Sequence, residues 1–157
     1  MKLEIGIVDK NREAVVKILN VLLSDESVLT TKTRNYHWNV RGMQFNDLHK
    51  FFDAQYEELA DIADEVAERV RSLGGMAMGT LGEFQKQSRL KEHPGQFPGA
   101  KSMLENLLGD HETIVRNCRA DQAICQEKYV DIGTSDFLTG LMEKHEKMAW
   151  MLRAFLE

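Results

Sequence analysis

The sequence predicts an all-α fold, a bundle of four long helices with a short extra helix in a long second connection. Three observations point there. Apolar residues recur at spacings of three and four through most of the 157 residues, the period of a one-sided helix. Only two prolines occur, Pro94 and Pro98, and both fall in one loop, so nothing interrupts the long periodic stretches. No segment shows the strict alternation of a half-buried strand.

The first helix starts at Asp9 and carries Val15, Ile18, Leu19, Leu22, Leu23 and Leu29 on one stripe, ending near Tyr36 before Gly42 breaks the pattern. A second stripe runs through Phe45, Leu48, Phe52, Leu59, Ile62, Val66, Val70 and Leu73 and stops at Gly74 and Gly75, good residues for a helix C-terminus. Residues 76–98 are glycine-rich, yet Thr80 followed three positions later by Glu83 makes a capping box for a short helix to about Ser88. The third long helix runs from Ala100 through Met103, Leu104, Leu107, Leu108, Ile114 and Val115 to about Gln126. The fourth follows Thr134 through Phe137, Leu138, Leu141, Met148, Met151 and Leu152 to Phe155. Short first and third connections with one long crossover describe a ferritin-like bundle better than a simple up-and-down one.

Size and charge bound the functions open to such a bundle. At 18.0 kDa and 43% hydrophobic residues, the chain is expected to be a single ferritin-like domain, residues 1–157, that buries a core without disulfides. The net charge of -5 offers no general attraction to nucleic acid or anionic lipid. The start, MKLEIGIVDK, has one early lysine and no apolar run, and no segment approaches the roughly 18 apolar residues of a membrane span. A soluble, cytoplasmic protein is expected. Cys118 and Cys125 lie seven residues apart on one predicted helix, about 10 Å along its axis and too far to bridge. Two free thiols fit a reducing compartment.

The chemistry concentrates in NYHWNVRGMQFNDLHKFFD, residues 35–53, which holds two of the five histidines. With His49 at zero and about 100° per residue, Leu48, Phe52, Leu59, Val66 and Val70 fall at roughly 260° to 300°. Asp53, Asp64 and Glu68 fall at about 40°, 60° and 100°, on a face turned away from the core. Ligands on this face point out of the bundle. An ordinary intra-bundle di-iron centre is disfavoured, since no histidine has a glutamate three residues before it. His49 and Asp64 are fifteen residues apart, about 22 Å along the helix, so one helix cannot bring all four side chains to one ion. Two copies crossing antiparallel about a two-fold axis between Glu58 and Leu59 would join His49 and Asp53 of one to Asp64 and Glu68 of the other, giving two identical sites. His37, at the end of the first helix, can fold over the site. The spacings of four in His49/Asp53 and Asp64/Glu68 are chelating spacings, and mixed imidazole and carboxylate donors suit iron or another divalent first-row metal. The same residues could instead form a solvated or salt-bridging face.

The residues that carry these features resemble the Dps mini-ferritins, DNA-protection proteins of starved cells. The resemblance rests on NYHWNVRG with Phe45, Leu48, His49 and Phe52 behind it, on DEVAERVRSLGG from Asp64 to Gly75, and on HEKMAWMLR from His145 to Arg153. It implies a ferroxidase centre at a two-fold interface with His37, His49 and Asp53 from one subunit and Asp64 and Glu68 from the other, Asp64 being the weaker or outer ligand. It also implies oxidation of Fe2+, preferably by hydrogen peroxide, storage of ferric mineral in a hollow shell of twelve subunits, and protection against oxidative stress. The short helix from Thr80 then looks like a dimer-interface helix, and Asp131 and Asp136 are candidates for an acidic pore, with helix capping as the other use of an aspartate there. Trp38 is either an interceptor of oxidising equivalents or a packing aromatic, Trp150 a core or interface residue, and His111 and His145 satisfied structural histidines. DNA binding is not expected, because Lys2 stands alone at the start and the chain ends at Leu156 and Glu157 without a lysine-rich tail. A nucleoid-compacting shell protein is the alternative.

Overall fold

The computed structural model describes residues 3–157, so Lys2 lies outside the described residues. Five helices follow in order: α1 (Asp9–Asn39), α2 (Phe45–Ser72), α3 (Leu81–Gln87), α4 (Ala100–Glu127) and α5 (Ile132–Ala154). There is no strand among the described residues. α1 packs along α2 and α4 along α5, and contacts of α1 with α4 and α2 with α5 close the ring. The periodic leucines become the centre of that ring, with Leu19, Leu29, Phe52, Leu59, Leu107 and Leu138 wholly buried.

α1 extends three residues past the expected end at Tyr36, because the amide of Val40 still bonds to the Tyr36 carbonyl. α5 begins two residues before Thr134, where the Asp131 side chain accepts from the Thr134 amide and satisfies one of the free amides of the first turn. Two glycines set the end of α2. Gly74 sits at φ 79°, and at Gly75 a Cβ would lie 2.6 Å from both γ carbons of Val16. Only a residue without a side chain lets the chain leave α2 this close to α1.

The long crossover is pinned to the bundle. The capping box of Thr80 and Glu83 is fully formed at the start of α3. Beyond α3, the buried carboxylate of Asp25 accepts from Ser88 Oγ at 3.0 Å, the Arg89 amide at 2.6 Å and Arg89 Nε at 2.7 Å. Arg89 also reaches Asp121 of α4 at 3.1 Å. No described helix is long and apolar enough to cross a membrane.

Candidate metal centre

His37 occupies the last turn of α1 and His49 the second turn of α2, so the short loop between the helices brings the two rings together. They stack with centroids 3.9 Å apart. Phe45 lies against His49 at 5.1 Å, and the edge of Tyr56 meets His37 at 5.4 Å. Each imidazole is also tied to the other's backbone. Nδ1 of His37 is 2.8 Å from the His49 carbonyl, and Nδ1 of His49 is 2.9 Å from the His37 carbonyl. A carbonyl only accepts, so both Nδ1 atoms carry the proton and donate. In the neutral rings each Nε2 is then left with a free lone pair, as a metal-ligating histidine requires.

Asp53 stands one turn beyond His49, with Oδ1 3.6 Å from Nε2 of His37. That is longer than a hydrogen bond, so Nε2 donates no proton to the carboxylate and its lone pair stays available. Tyr56 donates to Asp53, and this bond to the carboxylate raises the phenol above its ordinary range. Tyr56 is a site residue that the sequence reading missed; its place three residues after Asp53, on the same face, was the available signal.

Asp64 and Glu68 are exposed on the outward face of α2, as the helical wheel requires. Neither carboxylate forms an ion pair among the described residues. The buried side of α2 is Leu48, Phe52, Gln55, Leu59, Ile62, Val66 and Val70. The chain thus sets His49 and Asp53 each beside His37 without drawing all three onto one point, and leaves Asp64 and Glu68 apart from them. Among the described residues, no three metal-binding side chains converge on one point.

The other expectations fare differently. Asp131 is 2% exposed, caps α5 and pairs with Arg69 at 3.2 Å, so it serves capping rather than a pore lining; Asp136 is exposed. Trp150 is 62% exposed and is no core residue of the chain. Trp38 is 65% exposed, with the Arg34 guanidinium 5.5 Å above its ring. Cys118 and Cys125 are free and buried. His111 and His145 are buried in the core, yet Nε2 of His111 has no partner, so the expectation of satisfied structural histidines does not hold for His111.

The ferritin-like domain family matches residues 16–157. A DNA protection during starvation protein of Bacillus anthracis is 39% identical over 90% of this chain and 96% of its own length. The chain belongs to the Dps family. An uncharacterised low temperature-induced protein of Nostoc is 46% identical, over 99% of this chain and 87% of that protein. Among solved structures, the Dps protein DpsC from Streptomyces coelicolor superposes with a TM-score of 0.96 at 32% identity, covering 100% of this chain and 91% of that one. Its backbone path is nearly that of the Dps fold described here.

Proposed function

We propose that this Dps protein is a ferroxidase and iron-storage mini-ferritin that oxidises Fe2+ at centres shared between two subunits. Iron storage and protection against oxidative damage follow from family membership in general; the reaction and its ligands are specific to this reading. His37, His49 and Asp53 of one subunit would face Asp64 and Glu68 of its two-fold partner. The observation that supports this most is the pair of reciprocal Nδ1 bonds, which leaves both Nε2 lone pairs free beside Asp53 on an outward face.

Two Fe2+ ions are the substrate, and hydrogen peroxide takes one electron from each. With two water molecules the products are two ferric oxyhydroxide units and four protons, so atoms and charge balance. The imidazoles bind Fe2+ as neutral donors, and the carboxylates of Asp53 and Glu68 offset the charge gained on oxidation. Asp64 would hold an imidazole or a water in the outer shell. Ferric product would collect in the cavity of a dodecameric shell, in the cytoplasm. An acidic subunit repels DNA at neutral pH, and no DNA-binding role is assigned.

The test is anaerobic loading of the metal-free protein with Fe2+ followed by a peroxide pulse, read as ferric absorbance. Fast oxidation in the natural chain and its loss in His49→Gly with Asp53→Ala, with assembly intact, is the expected result. Equal traces would make the outward face structural.

A further inference from the structure

The bundle core carries a polar cluster that the two-fold centre does not use. Glu26 of α1, His111 of α4 and His145 of α5 are each 0% exposed. Nε2 of His145 lies 3.0 Å from Oε1 of Glu26, and its Nδ1 lies 2.9 Å from Nδ1 of His111. Both ends of this chain are unsatisfied: Oε2 of Glu26 and Nε2 of His111 are buried without a partner. Gln55 of α2 donates through Nε2 to the carbonyl of Met148, three residues beyond His145, and leaves its own Oε1 buried and unpaired. Each of the four long helices therefore buries one of these polar side chains. Buried polar atoms are almost always paired, and an orphaned carboxylate oxygen is among the costliest exceptions.

We propose that Glu26 and His145 bind a divalent first-row cation inside each subunit, with His111 as the residue that orients His145. A carboxylate and an imidazole nitrogen are the donors such ions take. Metal–ligand distances of roughly 2.1 Å place neighbouring ligands of an octahedral ion about 3 Å apart, the separation of Oε1 and Nε2 here. The ion replaces the proton now shared by those two atoms and engages the orphaned Oε2. An imidazole cannot aim both nitrogens at one ion, so His111 stays outside the coordination shell. There it accepts the Nδ1 proton of His145 and fixes the ring, the usual partner of a ligating histidine. The buried carboxylate charge is then offset by a cation rather than by a proton alone.

Co2+ is the probe, titrated anaerobically into the assembled full-length chain carrying His49→Gly and Asp53→Ala. Those substitutions remove two of the five inter-subunit ligands, and the position of the ion tells the core cluster from the three that remain, so the outcome is independent of the function proposed above. The expected result is one Co2+ held per chain through gel filtration, with visible absorption bands of nitrogen and oxygen ligation. Adding Glu26→Gln should lower cobalt retention by about tenfold or more. Anomalous diffraction at the cobalt edge should place the ion between Glu26 and His145, which decides the matter even if Glu26→Gln fails to assemble. No retained cobalt, retention unchanged by Glu26→Gln, or an anomalous peak elsewhere overturns the assignment.

Discussion

A shell assembled from equal amounts of two disabled chains separates a shared centre from a private one. Let one chain carry His49→Gly and the other Glu68→Gln. In a dimer of identical chains both centres lack the same ligand, so each variant alone should oxidise iron slowly. In a mixed dimer one centre collects both defects, while the other receives His49 from the Glu68→Gln chain and Glu68 from the His49→Gly chain. Random pairing makes half of the dimers mixed, so about one quarter of all centres are intact in an isologous arrangement. The intra-chain geometry sets this expectation: the two ligand pairs of α2 are separated by about 22 Å along one helix, and no three ligands converge within the described chain. The assay is the initial ferric absorbance after peroxide is added to anaerobically loaded, co-refolded protein. Recovery to about 25% of the natural rate is expected. A mixture no faster than the mean of its two parents would refute the shared centre.

Three further outcomes follow from the structure. Burial, and then the neighbouring His145, hold His111 well below the ordinary histidine value of 6.5. The unfolded chain therefore binds a proton at pH values just under 6.5 that the folded chain refuses. Stability should be full above that pH and fall as pH drops below it, by up to about tenfold in the unfolding constant per pH unit; urea titrations from pH 7 to 4.5 should show the decline, reduced in His111→Gln. Gly75→Ala should destabilise by about 1–3 kcal/mol, because its Cβ would meet Val16, and Val16→Ala in the same chain should recover part of the loss in thermal unfolding. Burial pushes the Cys118 thiol strongly upward and that of Cys125 up to about 12, so neither should react with iodoacetamide at pH 8 until the protein is denatured.

Helix positions were legible because each is written locally. The stripe from Phe45 to Leu73 and its glycine stop predicted α2 to within a residue, and Thr80 with Glu83 announced α3 through a bond that spans three positions. The outward face of α2 was equally readable, since it follows from the angle per residue alone. What the sequence concealed depends on tertiary neighbours. Glu26 meets His145 across 119 residues, and nothing local marks Glu26 as a core residue rather than a solvated one. Gln55 interrupts the apolar side of α2 without any periodic signal, and it is buried because its amide finds the Met148 carbonyl. For Asp131 the sequence favoured capping over a pore without excluding the pore, and only the contacts with Arg69 and Thr134 decide between them.

α2 is fastened at both ends. At one end the rings of His37 and His49 bond to each other's backbone; at the other, Arg69 donates to Thr134 Oγ1 at 3.0 Å and to Asp131 at 3.2 Å. The helix can therefore neither slide nor turn on its axis, and the angle between His49 with Asp53 and Asp64 with Glu68 becomes a matter of residue counting. One residue inserted between Asp53 and Asp64 would rotate one pair by about 100° against the other. A length change there keeps both pairs on a common face only when it is close to a whole number of turns, seven residues being the shortest that comes within about 20°. The exposed positions between Ala54 and Ala63 should then accept substitution while the stretch keeps its length, whereas the crossover beyond its anchor at Ser88 and Arg89 is freer to grow or shrink.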